Sequence, residues 1–149
     1  MMLRPHLEFL RAQMMLSRHM PTIFEYYSAI HLSQTHHTRF YTYRDLPHSH
    51  KKDAGFPLSD QGIDLVDETF HHIVQVKYYK PKTKITYGDL STFLATPLLV
   101  GRKQLRLTLV RTQHCILHSD IQTIIRRGNM TDVALCSKEF LRSLKTNQF

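Results

Sequence analysis

Two short apolar stretches separated by a polar turn constrain the fold of this chain more than any other feature. The stretches are 61–66 and 73–80, and both are rich in β-branched residues interrupted by polar ones at selected points. That pattern is typical of β-strands. Residues 67–72 between them are polar enough for a turn. The sequence therefore predicts a β-hairpin in the middle of the chain.

An acid, an amide and an ammonium group converge on this predicted hairpin. Side chains alternate along a strand, so Gln75 and Lys77 share one side, and strand pairing brings Asp64 beside them. A hard cation such as Mg²⁺ takes oxygen ligands, here the carboxylate, the amide carbonyl and a backbone carbonyl near Val76. The metal would polarise a scissile phosphate and activate a bound water, while Lys77 orients or deprotonates that water or stabilises the phosphorane. The pattern predicts metal-assisted phosphodiester hydrolysis.

The alternative for the same residues is structural. Asp64 can cap a turn, and Gln75 and Lys77 can line a solvated face of the sheet. Asp53 and Asp60, in the preceding loop, are alternative acids for a site.

At the hairpin the sequence resembles a known family. Gly62-Ile63-Asp64 together with the run 75–79 (Gln-Val-Lys-Tyr-Tyr) is similar to the PD-(D/E)XK restriction-endonuclease-like nucleases. Within them it is most similar to the Mrr-type branch, in which glutamine replaces the usual second acid. Similar domains precede superfamily 2 helicases of phages and large DNA viruses. The resemblance extends over about residues 22–144.

This resemblance implies a function and a set of site residues. It implies a DNA endonuclease dependent on Mg²⁺ or Mn²⁺, with Asp64, Gln75 and Lys77 as the catalytic triad. It also implies that Glu25, in a Phe-Glu pair on the first core helix, completes or supports the metal site. A helicase domain or subunit as partner and a viral source are implied in the same way.

The charge of the chain favours a polyanionic partner. The net charge is +8, and proteins bind DNA non-specifically through phosphate neutralisation by Lys and Arg. The residues expected to contact nucleic acid are Tyr79, Lys80, Lys82, Lys84, Arg102 and Lys103. Arg126 and Arg127 add basic points at an element end. A solvated basic surface is the alternative.

The predicted elements follow the order α, β, β, β, α, β, α, β, α. This order indicates an α/β fold with a mixed central sheet flanked by helices, and it agrees with the restriction-endonuclease-like αβββαβ core. The 149 residues are expected to form one domain, with a leading helix in residues 1–20 and a nuclease core in residues 22–144. The other predicted elements are a helix from Pro21, a strand at 39–44, a long loop at 45–60, a helix from Tyr87 capped by Thr86, a strand at 105–110, a helix at 119–127, a strand at 132–136 and a helix from Ser137.

Several function classes lack their signals. No nucleotide-binding glycine motif, serine-hydrolase signature or membrane-length apolar run is present. The two cysteines are isolated, which favours a reducing, intracellular compartment. The histidine groups lack the spacing of zinc sites, although His71 and His72 could contact phosphate when protonated.

A homodimer through the leading helix is one expectation. The competing functions are a non-catalytic nucleic-acid-binding module and a protein-interaction domain.

Overall fold

The computed structural model describes residues 19–59 and 61–146, so the predicted leading helix and Asp60 lie outside the described residues. Helix α1, Met20–His36, begins with proline in its first turn and ends at His37, which has the left-handed φ of 53°. Pro21 fits there because the first helical N–H groups have no intrahelical partner. Among the described residues, no helix is long and apolar enough to span a membrane.

The predicted hairpin is present, with shifted ends. Strand β2 is Leu65–Asp67 and strand β3 is His72–Lys77, and the two pair antiparallel with Leu65 opposite Val74. The first strand was predicted to begin at residue 61, which is wrong. Gly62 has a φ of +80°, and this left-handed conformation is incompatible with a strand.

The segment before the hairpin is more ordered than predicted. Strand β1, Phe40–Thr42, is followed by the 3-10 turn Tyr43–Asp45, so the strand predicted over 39–44 is shorter than expected. The Asp45 carboxylate accepts the hydroxyls of Thr42 and Tyr26, which stabilises the turn against α1. Helix α2, His48–Asp53, lies within the predicted long loop.

The second half of the chain follows the predicted order, with two small strands added. The elements are β4 (Lys84–Ile85), α3 (Tyr87–Leu99), β5 (Arg106–Thr112), β6 (Ile116–Leu117), α4 (Ser119–Arg126), β7 (Thr131–Leu135) and α5 (Ser137–Thr146). Thr86 and Asp89 form a capping box at the start of α3. The helix passes through Pro97 and ends two residues later, as expected for a residue that removes a helical hydrogen bond and clashes with the preceding turn.

The five-stranded sheet has the order β1-β2-β3-β5-β7. The β1–β2 and β2–β3 pairs are antiparallel, and the β3–β5 and β5–β7 pairs are parallel. Strands β3, β5 and β7 therefore end at one edge of the sheet, which we call the C-terminal edge. The opposite end, where these strands begin, is called the N-terminal edge.

Helices cover both faces of the sheet. Phe24 of α1 and Phe140 of α5 pack with Val74 and Val76 in the first core. The second core contains Leu90 and Phe93 of α3, Ile121 of α4, and inward residues of the strands. The mixed sheet between helical layers is the predicted α/β architecture, and it is consistent with a restriction-endonuclease-like fold.

Candidate active site

Strand β3 divides its side chains between the two cores. Val74 and Val76 belong to the first core, whereas Ile73 belongs to the second. Because side chains alternate along a strand, Gln75 and Lys77 lie on the side of Ile73, toward α3. Gln75 is 7% exposed, and Lys77 is half-buried at the strand end. Gln75 and Lys77 thus share one face near the C-terminal edge.

Asp64 lies directly before β2, against the second half of β3. Its backbone N–H donates to the carbonyl of Val74, and its own carbonyl accepts the N–H of Tyr43, both at 2.9 Å. Its carboxylate oxygen Oδ2 accepts the backbone N–H of Val76 at 2.7 Å. These bonds hold the acid next to the strand segment that carries Gln75.

Gln75 presents a buried oxygen without a hydrogen-bond partner. No residue that the structure describes donates to its Oε1 atom. A buried carbonyl left unpaired costs about 1–3 kcal/mol, a cost that a cation at this atom would offset. With the Asp64 carboxylate nearby, the donors are hard oxygens of the kind that Mg²⁺ and Mn²⁺ take. The residues present therefore fit a divalent cation.

Charged ligands alone would not hold such an ion. Within residues 19–59 and 61–146, no group of three or more His, Cys, Asp or Glu side chains is placed to bind a metal. An ion here would take its ligands from Asp64, from the Gln75 amide and from the backbone, with the Val76 carbonyl as the predicted donor. Water would complete the coordination.

Gly62 allows the segment before Asp64 to approach α3 closely. A Cβ atom at this position would lie 3.2 Å from the backbone nitrogen of Phe93 and 3.5 Å from Nε2 of Gln75. Only glycine combines the φ of +80° with that close approach. Gly62 therefore packs the loop against both the helix and the Gln75 amide.

Glu25 is held by an ion pair near the C-terminal edge. Its carboxylate lies 2.7 Å from the Arg44 guanidinium. Arg44 follows Tyr43, whose N–H binds the Asp64 carbonyl. The ion pair is a structural role for Glu25, and its role in metal binding stays a prediction.

The structure separates the residues predicted to contact nucleic acid into two groups. The exposed lysines that follow β3 lie near the C-terminal edge: Lys80, Lys82 and Lys84. Arg102 and Lys103 instead precede β5, whose first residue pairs with the first residue of β3. Arg102 and Lys103 therefore lie at the N-terminal edge, away from Asp64.

Two of these residues also have structural contacts. The guanidinium of Arg102 donates to the carbonyls of Phe70 and Ala54, at 2.9 and 2.8 Å, and lies over the Phe56 ring. Tyr79 exchanges backbone hydrogen bonds with the Thr112 hydroxyl. Its ring lies 5.7 Å below the Lys77 Nζ atom, so it can steady the ammonium group through a cation–π contact.

The histidines contribute little to the candidate site. His72, predicted in the turn, is the first residue of β3 and is 4% exposed. Its Nε2 atom lies 2.6 Å from the Thr108 hydroxyl, and its ring packs against Phe40 and His36. Burial, together with the smaller effect of the positive charge of Arg106, lowers the pKa of His72 to about 4. The prediction that His72 could contact phosphate is therefore wrong, while His71 is exposed.

Tyr43 and Lys51 lie against the segment that leads to Asp64, a role that no sequence pattern indicates. Tyr43 is 1% exposed, and its hydroxyl donates to the Pro57 carbonyl. The Lys51 ammonium lies 4.4 Å from the centre of the Tyr43 ring. Helix α2 and the segment leading to Asp64 are thus docked on one tyrosine. A single aromatic residue at a strand end carries no sequence signal for such contacts.

The chain is similar to a known protein family. A family model described as restriction endonuclease, of the Mrr catalytic type, matches residues 31–135, which is more than half of the chain. The matched range includes Asp64, Gln75 and Lys77 and begins after Glu25. No similar curated protein and no similar solved structure was found.

Proposed function

The chain belongs to this restriction endonuclease family, and from that membership we propose a divalent-metal-dependent DNA endonuclease with its active site at the C-terminal edge. Family membership by itself implies a phosphodiester hydrolase acting on DNA. The proposal adds the residues and their roles. It also treats the whole chain as one nuclease unit.

The observation that carries the proposal is the juxtaposition of Asp64, Gln75 and Lys77. The Asp64 carboxylate is hydrogen-bonded to β3 at Val76, and β3 also carries the unpaired Gln75 oxygen and the Lys77 ammonium. A structural turn cap would explain the Asp64 bond, but it would not explain a buried amide oxygen with nothing to bind. Glu25, near the same edge, is proposed to support the site.

Asp64, Gln75 and the Val76 carbonyl would hold Mg²⁺ or Mn²⁺, which supplies Lewis-acid polarisation of the scissile phosphate. Lys77 would donate hydrogen bonds to the attacking water or to the phosphate oxygens as their negative charge increases. The exposed Lys80, Lys82 and Lys84 would neutralise neighbouring phosphates of the DNA. Tyr79 would support Lys77 from below.

Cleavage of supercoiled plasmid tests the proposal. Asp64→Asn keeps an oxygen for the Val76 N–H and removes the charge, so the fold should persist. We expect metal-dependent nicking or linearisation by the wild type that EDTA abolishes. Asp64→Asn and Lys77→Met should each lower the rate at least about 100-fold, since the first removes the charged ligand of the metal and the second removes a cation at the reacting phosphate.

Asp53→Asn is the matched control, because Asp53 is an exposed carboxylate at the end of α2. Its cleavage rate should equal that of the wild type. Full activity in either Asp64→Asn or Lys77→Met would refute the assignment of the site. Equal loss in the Asp53 variant would contradict the assignment too, since it would favour Asp53, the alternative acid, as part of the site.

A non-catalytic DNA-binding module is the second candidate, and the basic residues after β3 favour it. Salt-sensitive DNA binding without cleavage in Mg²⁺ or Mn²⁺ would support that module. A helicase partner, a viral setting and a homodimer rest on the sequence alone, and no comparison supports them.

A further inference from the structure

A second concentration of positive charge lies at the N-terminal edge, opposite the candidate active site. It contains exposed cations from three separate segments: Lys103 before β5, Arg106 at its start, and Arg126 and Arg127 at the end of α4. We call these four residues the distal basic surface. They are brought together because α4 runs back along the sheet to the start of β7, beside the start of β5.

A groove lies at this surface, with Lys103 and Arg106 in its lining and Arg127 directly before the residues of its other wall. It has a volume of about 250 Å³ and is lined by residues 103–107 and 128–131. A second groove, of about 340 Å³, lies on the other side of the same loop and is lined by His71 and residues 102–105. No carboxylate lines either groove in the part of the chain that the structure describes. The Lys103 loop therefore lies between two grooves, of which the first is mainly polar and the second is more apolar.

The nearest acids of the preceding turn are already engaged. The Asp67 carboxylate is 6% exposed and accepts the backbone N–H groups of His71 and His72. Glu68 accepts the hydroxyl of Thr38. The charge of Arg106 also lowers the pKa of His36 and His72, after the larger effect of their burial. Among the residues that the structure describes, no carboxylate forms an ion pair with the four cations of the distal basic surface, so these cations can attract an external anion.

The helix dipole accounts for only part of this charge. Arg126 and Arg127 lie at the C-terminal end of α4, where a cation is favourable to the helix by about 0.3–1 kcal/mol. Lys103 and Arg106 belong to a loop and a strand, so the same explanation does not extend to them. The first groove is also open at Gly128, where a Cβ atom would have no neighbour within 4 Å, and this space leaves room for a ligand.

We infer that the distal basic surface binds the phosphate backbone of a second DNA segment. The inference rests on the proposed DNA substrate and adds a contact outside the cleavage site. Strand β5 has seven residues, so the two edges are about 20 Å apart at roughly 3.3 Å per residue. A duplex bound across the C-terminal edge would leave the distal basic surface available for a different duplex or a distant part of the same one.

The number of short duplexes bound by one chain tests this inference. The full chain is titrated with a duplex of about one helical turn (~10 bp) in EDTA and low salt, and the complex mass is measured by analytical ultracentrifugation. We expect two duplexes per chain for the wild type. Lys103→Gln/Arg106→Gln/Arg127→Gln should bind one. The matched variant Lys80→Gln/Lys82→Gln/Lys84→Gln should also bind one, having lost the other contact.

Salt dependence of the affinity provides a second measurement. The slope of log K against log salt should fall by about 0.9 for each phosphate contact removed from a longer duplex. The double variant Lys103→Glu/Arg127→Glu leaves strand β5 unchanged. It provides the same test if the triple variant does not fold. Thermal unfolding of each variant shows whether the fold is retained.

The outcomes separate this inference from the proposed function. One duplex per wild-type chain, with unchanged affinity in both distal variants, overturns the distal surface and leaves the nuclease assignment intact. Loss of all binding in the distal variants but none in the Lys80 variant would overturn the proposed DNA contact after β3. If inorganic phosphate binds at the grooves but no more than one duplex binds per chain, the grooves form a small-anion site and the inference is refuted.

Discussion

Replacing Gln75 by leucine is expected to stabilise the metal-free protein while it abolishes metal binding. Leucine is close to glutamine in size and removes the buried Oε1 atom, which has no hydrogen-bond partner among the described residues. Gln75 is 7% exposed, so the oxygen is almost fully desolvated. Removal of an unpaired buried carbonyl of this kind is worth about 1–3 kcal/mol in the free energy of unfolding.

A bound metal ion is expected to reverse the difference in stability between the wild type and Gln75→Leu. A ligand that binds only the native state stabilises it by RT ln(1 + [L]/Kd), about 2.7 kcal/mol at 100 times Kd. Wild-type protein should therefore gain stability on addition of Mn²⁺ or Mg²⁺. Gln75→Leu should gain much less, because the amide oxygen is one of the few side-chain ligands proposed for the ion.

Urea denaturation in EDTA and in excess Mn²⁺ measures both effects, with isothermal titration of Mn²⁺ as the direct measurement of affinity. Gln104→Leu is the control, since Gln104 is exposed at the N-terminal edge. It should keep the full metal-dependent gain. A Gln75→Leu protein that is destabilised by more than about 1 kcal/mol in EDTA would show that the amide is satisfied in the native state. An unchanged Mn²⁺ affinity would remove Gln75 from the site.

Two further predictions concern backbone strain and pH. Gly62→Ala should destabilise the protein by about 1–3 kcal/mol in urea denaturation, because an alanine Cβ would lie 3.2 Å from the Phe93 nitrogen at a φ of +80°. Gly101→Ala, with a φ of +68° and open space, should cost less, and equal costs would contradict the close-approach argument. The pKa of His72 is lowered to about 4 in the folded protein, against an ordinary 6.5. The unfolded chain therefore binds a proton at this residue at higher pH than the folded protein does, and stability is lost as the pH falls from the ordinary pKa to the lowered one. The loss of stability is up to about 3 kcal/mol, at 1.36 kcal/mol per pKa unit. His72→Gln should reduce this loss, whereas the exposed His50→Gln should leave it unchanged. Identical profiles of stability against pH for the wild type and His72→Gln would refute the lowered pKa of His72.

Much of the fold follows from local sequence patterns. The hairpin is encoded by two β-branched runs around a polar turn, and the start of α3 is encoded by Thr86 with an acid three residues later. These signals act between neighbours in the chain, so they can be read without the tertiary structure. Helix α2 was missed because His48–Asp53 is short and polar, with no apolar stripe to indicate it.

The sequence predicts which side chains of the hairpin lie together, but not the environment of those side chains. Strand alternation alone places Gln75 and Lys77 on one face. The unpaired oxygen of Gln75 depends on what α3 and the Gly62 loop bring against it, and these segments are distant in sequence. The ion pair of Glu25 with Arg44 is likewise a tertiary contact, and no spacing rule connects a helix residue to a turn nineteen residues away.

The sequence by itself determined the order of the longer elements, the hairpin and the acid, amide and ammonium that it carries, because periodicity and turn chemistry are local. Only the tertiary structure decided which basic residues lie together. Lys84 and Arg102 are separated by a single helix in sequence, yet α3 carries the chain from one edge of the sheet to the other. The direction of parallel strands and the length of the helix between them set that separation, and neither can be read from charge alone.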